Sequence, residues 1–157
     1  MLLDSMDLVA QGWSIDLITT DISSEAIARA EEGRYDALEM ARGVSDDQRA
    51  SWFRPSGEHW CVNEQLRRIV DFRVVNLLDS FGWLDDLDFI FCRNALLYFN
   101  RTAKAAVLER MADTLAPDGV LLLGDTETPE PVLNQFITLP GRDSVYRRAR
   151  TPVARLA

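Results

Sequence analysis

Four short apolar stretches separated by helical patterns constrain this chain more than any other feature. Residues 14–20 (Ser-Ile-Asp-Leu-Ile-Thr-Thr), 71–76 (Asp-Phe-Arg-Val-Val-Asn), 87–92 (Leu-Asp-Phe-Ile-Phe-Cys) and 120–124 (Val-Leu-Leu-Leu-Gly) are rich in β-branched and aromatic residues. Each has the length of a strand. The segments between them change to a period near 3.6. Residues 101–115 set Ala105, Leu108, Met111, Ala112 and Leu115 on one side, with Asn100 or Thr102 placed to cap the start. Residues 24–32 repeat the pattern with Ala26, Ile27 and Ala30, and Gly33 stops them. Strand and helix in alternation predict a mostly parallel α/β sheet with helices on both faces.

Other segments modify that plan. Residues 2–11 read as an opening helix stopped by Gly12, and 35–53 as one or two short helices broken at Gly43, with Ser45 as N-cap. Around Arg54-Pro-Ser-Gly-Glu-His-Trp-Cys-Val-Asn63 a Pro/Ser/Gly turn precedes an alternating run, which predicts a small β-hairpin insertion within residues 53–70. Pro117, Asp118 and Gly119 predict a turn into the fourth strand. Residues 135–139 and 144–148 predict a closing antiparallel hairpin. The 157 residues suit one domain over 1–150 with a tail at 151–157.

Charge and composition remove several function classes. Seventeen Lys and Arg stand against 25 Asp and Glu, a net charge of −8. Phosphate neutralisation requires the opposite balance, so a general nucleic-acid binder is not expected. The apolar runs fall short of the ~20 residues that cross a bilayer, and the opening residues carry Asp4 and Asp7 where a secretory leader is basic. A cytoplasmic, monomeric protein is expected. Cys61 and Cys92 lie far apart with no His/Cys cluster, so neither a disulfide framework nor a metal site is predicted. Cys92 reads as a small buried hydrophobe and His59 as solvated or packed. Arg142, Arg147, Arg148, Arg150 and Arg155 concentrate positive charge near the C-terminus, as a solvated end does.

Ligands of parallel α/β sheets sit outside the carboxyl ends of the strands. The residues there are Asp21, Asn76-Leu-Leu-Asp79, Cys92-Arg-Asn94 and Gly124-Asp-Thr-Glu127. Asp21 suits either a helix N-cap or two vicinal ribose hydroxyls. Asn76 suits a turn or a base. Arg93 and Asn94 follow directly on a buried strand, and a charge so placed needs a partner: a ligand, or Asp21 or Asp125.

Thr20-Asp-Ile-Ser23, Asn76-Leu-Leu-Asp79, Phe91-Cys-Arg-Asn94 through Tyr98-Phe99, and Ala116-Pro-Asp-Gly119 followed by Leu121-Leu-Leu-Gly124 resemble, in order and spacing, the catalytic domain of CheR-type chemotaxis methyltransferases. That family consists of class I enzymes that use S-adenosyl-L-methionine to methylate glutamate side chains of chemoreceptors. The resemblance implies a Rossmann-like fold in which Asp21 binds the cofactor ribose and Asn76 and Leu77 line the adenine. It implies that Arg93 and Asn94 contact the methionine portion, and that Arg93 and Tyr98 position the substrate glutamate. The small β insertion would touch the cytoplasmic region of a receptor, in bacterial chemotaxis signalling. An ionised glutamate needs no general base, so one isolated His is no obstacle.

Three departures accompany the likeness. The family's first strand and its Gly-rich turn, which precede the helix placed here at residues 2–11, have no counterpart, nor has its basic N-terminal helical domain. Asp125 follows Gly124 where a His is common. Loss of the Gly-rich turn removes backbone N–H groups from the cofactor's carboxylate end, which predicts weak or absent binding of S-adenosylhomocysteine. It also leaves open a second reading, a catalytically inactive fragment serving as a signalling interaction module, and it predicts sheet edges without a neighbour.

Overall fold

The computed structural model describes residues 3, 6–8 and 10–149. Its contacts divide the chain into two compact units, Met1–Asn76 and Leu77–Ala157. The first contains β1 (Leu17–Asp21), α1 (Ser24–Glu32), β2 (Arg34–Tyr35), α2 (Ala37–Gly43), α3 (Asp46–Trp52), β3 (Phe53–Ser56), β4 (His59–Val62), α4 (Glu64–Arg68) and β5 (Val70–Val74). The second contains β6 (Leu87–Cys92), a 3₁₀ turn (Leu96–Tyr98), α5 (Arg101–Thr114), β7 (Leu115–Leu123), an irregular 3₁₀ segment (Glu130–Gln135), β8 (Phe136–Thr138) and β9 (Val145–Arg148). The helix expected over residues 2–11 falls partly outside the described residues, and the tail at 151–157, like Arg150 before it, falls wholly outside them.

In the first unit β1 and β5 pair in parallel, from Leu17 opposite Val70 to Asp21 opposite Val74. The crossover between them includes α1, capped by the Ser23 hydroxyl accepting from Ala26 N at 3.2 Å and ended by Gly33 at φ +61°. At that glycine a left-handed backbone coincides with close packing, because an added Cβ would lie 2.5 Å from a Val62 methyl. The hairpin β3–β4 forms as expected, from Phe53 opposite Val62 to Ser56 opposite His59. It gains a strand that the sequence did not announce: β2 pairs antiparallel with β4 through Arg34–Cys61 and Tyr35–Trp60. Two residues carry no readable alternation, and β2 exists because β4 offers it a partner. The segment 37–52 forms two helices, each with a capping box, Asp36 with Glu39 and Ser45 with Gln48.

The second unit has four strands in the order β6-β7-β9-β8, with β6 and β7 parallel and the closing hairpin antiparallel. β7 starts earlier than expected. Leu115 already pairs with Leu87, residues 116–119 bulge opposite Asp88, and regular pairing resumes at Phe89–Val120. Gly119 permits this, since a Cβ there would lie 2.7 Å from the Leu87 carbonyl oxygen. One face of the sheet, with Cys92, Leu121 and Leu123, packs with Val107, Leu108, Met111 and Ala112 of α5. The opposite face leaves Phe89 and Phe91 62% and 72% exposed, with ring centroids 6.4 Å apart. Arg148 is not simply solvated: it donates to the Leu115 carbonyl and approaches Asp113 at 4.0 Å.

Each unit holds its own parallel pair among the described residues. β1 and β5 form one two-stranded piece, and β6 is an edge strand of a four-stranded one. The proportion of core also differs between the units. Ile27, Met40 and Phe53 are the buried apolar residues described in the first, against thirteen in the second.

Two consequences are measurable. Leu121 is wholly enclosed, so Leu121→Ala should cost about 2–5 kcal/mol in urea unfolding of the second unit. Burial, reinforced by the Glu127 carboxylate, pushes the Cys92 thiol up to about 11 from 9.0. Above about pH 9 the unfolded chain releases this proton while the folded chain retains it, so stability falls as pH rises toward about 11. The loss should be on the order of 2 kcal/mol and absent in Cys92→Ala, as read by urea midpoints on either side of that window.

Candidate functional site

Parallel pairing places the carboxyl ends of neighbouring strands side by side, and both units put polar residues there. In the first unit β1 ends at Asp21, whose carbonyl accepts from Val75 N at 2.9 Å, one residue before Asn76. The Asp21 side chain is exposed and does not cap α1. Its Oδ1 accepts from Ser23 N at 2.8 Å in a local Asx turn, and the cap belongs to Ser23. Its carboxylate therefore stays at the strand end, turned by a short loop instead of committed to the helix. Asn76 is half-buried.

In the second unit Leu77 is half-buried against the core, and its carbonyl accepts from Arg110 Nη2 at 2.7 Å. Arg93, Asn94 and Tyr98 all lie on the turn that follows β6. Arg93 is exposed and enters no ion pair among the described residues, so the pairing with Asp125 is not made. Asn94 is also exposed and adopts φ +59°, a left-handed conformation that Asn tolerates better than most residues. Tyr98, at the end of the 3₁₀ turn, is 86% exposed. A cation, an amide and a phenol are held in the open within six residues.

The organiser of this turn is Glu127, a residue that the sequence marks only as part of a strand end. Glu127, 1% exposed, accepts from Asn94 N (2.7 Å) and Gly124 N (2.8 Å) at Oε2 and from Leu96 N (2.8 Å) at Oε1. An acceptor-only carboxylate suits three converging N–H donors, and those donors replace the water that burial removes. Gly124 is required for space: a Cβ would lie 2.6 Å from Asn94 Oδ1 and 2.7 Å from Glu127 Oε2. The one available signal was a Glu three residues beyond a glycine that ends a buried strand.

Cys92 and His59 do not contribute reactive groups here. Cys92 is buried with its thiol held protonated, and a thiol is a poor nucleophile compared with its thiolate. His59 is exposed at the start of β4 and borders a cleft with Arg29, Glu32, Arg34, Asp36 and Glu39. That cleft includes the C-terminal end of α1, the end opposite the one that follows Asp21. Among the described residues no helix is long and apolar enough to cross a membrane.

Comparison with known proteins identifies the family. Residues 1–145 match the family model described as CheR methyltransferase, SAM binding domain. The chain is 40% identical over 137 residues to chemotaxis protein methyltransferase 1 of Pseudomonas aeruginosa, covering 87% of this chain and 50% of the relative. It is 38% identical over 124 residues to a chemotaxis protein methyltransferase of Vibrio parahaemolyticus, covering 78% and 45%. The chain thus spans about half the length of the curated relatives it matches. Among solved structures, the N-methyltransferase NodS of Bradyrhizobium japonicum in complex with S-adenosylhomocysteine shares the fold, with a TM-score of 0.53 at 16% identity over 86% of this chain and 67% of that one. The chain therefore belongs to the CheR methyltransferase family, through that family's SAM-binding domain.

Proposed function

We propose that this chain is the cofactor-binding part of an S-adenosylmethionine-dependent O-methyltransferase that acts on glutamate side chains in the cytoplasmic region of chemoreceptors. The observation that carries this reading is the turn after β6, which presents Arg93, Asn94 and Tyr98 to solvent at the carboxyl end of a parallel strand. The donor set fits the cofactor. Asp21 offers an exposed carboxylate to two vicinal ribose hydroxyls, and Arg93 and Asn94 offer donors to the carboxylate of its methionine portion. Asn76 and Leu77 contribute a polar and an apolar side chain to the adenine.

When bound, S-adenosylmethionine supplies a methyl group on a positively charged sulfur; transfer to an ionised carboxylate makes one O–C bond and breaks one S–C bond, the electron pair returning to sulfur. No proton moves, so the chain's contribution is orientation. Arg93 attracts the glutamate carboxylate and Tyr98 donates a hydrogen bond to it, which limits the angles at which its oxygen approaches. The small β-sheet of β2, β3 and β4 supplies the surface for the receptor.

S-adenosylhomocysteine added to the isotope-labelled chain should shift the backbone amide resonances of Asp21, Asn76, Arg93 and Asn94, with an affinity weaker than micromolar. Absence of any shift at millimolar ligand would overturn the cofactor assignment. Asp21→Ala should weaken that binding about tenfold or more, the equivalent of losing a charge-assisted hydrogen bond. Methyl label transferred to a receptor cytoplasmic fragment should be released by mild alkali, as a carboxylate ester is; alkali-stable label would exclude glutamate as the acceptor.

A further inference from the structure

The buried carboxylate of Glu127 joins two loops that follow neighbouring parallel strands. Two of its three donors, Asn94 N and Leu96 N, belong to the turn after β6; the third, Gly124 N, belongs to the turn after β7. The carboxylate faces inward, and those N–H groups turn inward to meet it. Of the side chains between and beside them, Arg93, Asn94 and Tyr98 are exposed, whereas Leu96, whose own N–H is bound, is buried and Ala95 packs against the core. Core packing of Leu96 and Ala95 anchors the turn as well, but among the hydrogen bonds described those to Glu127 are the ones that hold its first half. The other local bond, Phe99 N to the Leu96 carbonyl at 3.2 Å, closes only its second half.

Resting on the function proposed above, we infer that Glu127 is the positioning residue of the site: it fixes the left-handed backbone at Asn94, and so the directions in which Arg93 and Asn94 meet the cofactor. The requirement is for a carboxylate, beyond a side chain of that size. A glutamine has one acceptor oxygen and one NH2 group, and the three donors occupy both positions. Whichever way its amide is turned, an N–H of the side chain opposes an N–H of the backbone, at Leu96 or at the Asn94–Gly124 pair. The turn must then move away, although shape and volume are almost unchanged. Gly124 gives an independent route to the same displacement, because its Cβ would press on Asn94 Oδ1 and Glu127 Oε2 without removing the charge.

The test compares Glu127→Gln and Gly124→Ala with Val107→Ala, a cavity variant in α5 that lowers stability and removes none of the three hydrogen bonds to Glu127. Each is titrated with S-adenosylhomocysteine by amide resonances, at a temperature where circular dichroism shows it folded. Glu127→Gln and Gly124→Ala should lose the ligand-induced shifts at Arg93 and Asn94, and their Asn94 and Leu96 amides should exchange with solvent faster. Val107→Ala should keep the shifts. If Glu127→Gln does not fold, Gly124→Ala decides; failure of both to fold would mark Glu127 as a stability element and overturn the positioning role. Unchanged ligand shifts in Glu127→Gln, or equal loss in Val107→Ala, would overturn this inference alone. A parent chain that shows no ligand shifts would overturn the functional reading and this inference with it.

Discussion

Parallel pairing of strands is the constraint from which both units follow. Two parallel strands cannot be joined by a tight turn, so a crossover must return the chain to the starting end. β1 and β5 are joined through α1 and the small antiparallel sheet, and β6 and β7 through the 3₁₀ turn and α5. Because all crossovers leave from carboxyl ends, the first residues of each connection gather along one edge of each pair. That is why Asp21 and Asn76 follow adjacent strands in one unit, and the 93–98 and 124–127 turns follow adjacent strands in the other. The chemistry at these positions is a consequence of connectivity before it is a consequence of side-chain choice.

Elements whose signal is local were legible in the sequence. β6 occupies residues 87–92 as expected, because Asp85, Asp86 and Arg93 bound a run that no helix could use. α5 buries Leu108, Met111, Ala112 and ends before Leu115, and Asn100 caps it through a bond of 2.9 Å to Ala103 N. What was missed depends on distant partners. β2 has two residues and no pattern of its own, and the early start of β7 depends on Leu87 being available to Leu115.

The site was legible as positions and only partly as roles. Arg93, Asn94 and Tyr98 are recognisable because polar residues directly after an apolar strand are unusual, even though β6 proves to be an edge strand with one face exposed. Glu127 has the opposite appearance. In Asp125-Thr-Glu-Thr-Pro-Glu130 it looks like one of several solvated acids, whereas the chain curls back through the Glu127 N to Gly124 carbonyl bond at 2.9 Å and takes it inside. Exposure of Asp125 and Glu130 beside burial of Glu127 is decided by that turn and by donors some thirty residues away, which no window of sequence contains. Asp21 illustrates the converse: two uses were compatible with its position, and the neighbouring Ser23 took the cap.

The open aromatic face of β6 has a thermodynamic consequence. Phe89 and Phe91 keep most of their ring surface in water in the folded chain, so that surface contributes little to the change in hydration on unfolding. The heat capacity of unfolding tracks newly exposed apolar area at about 0.45 cal/K/mol per Å². The second unit therefore has a smaller heat-capacity increment than its aromatic content suggests, and a flatter dependence of stability on temperature.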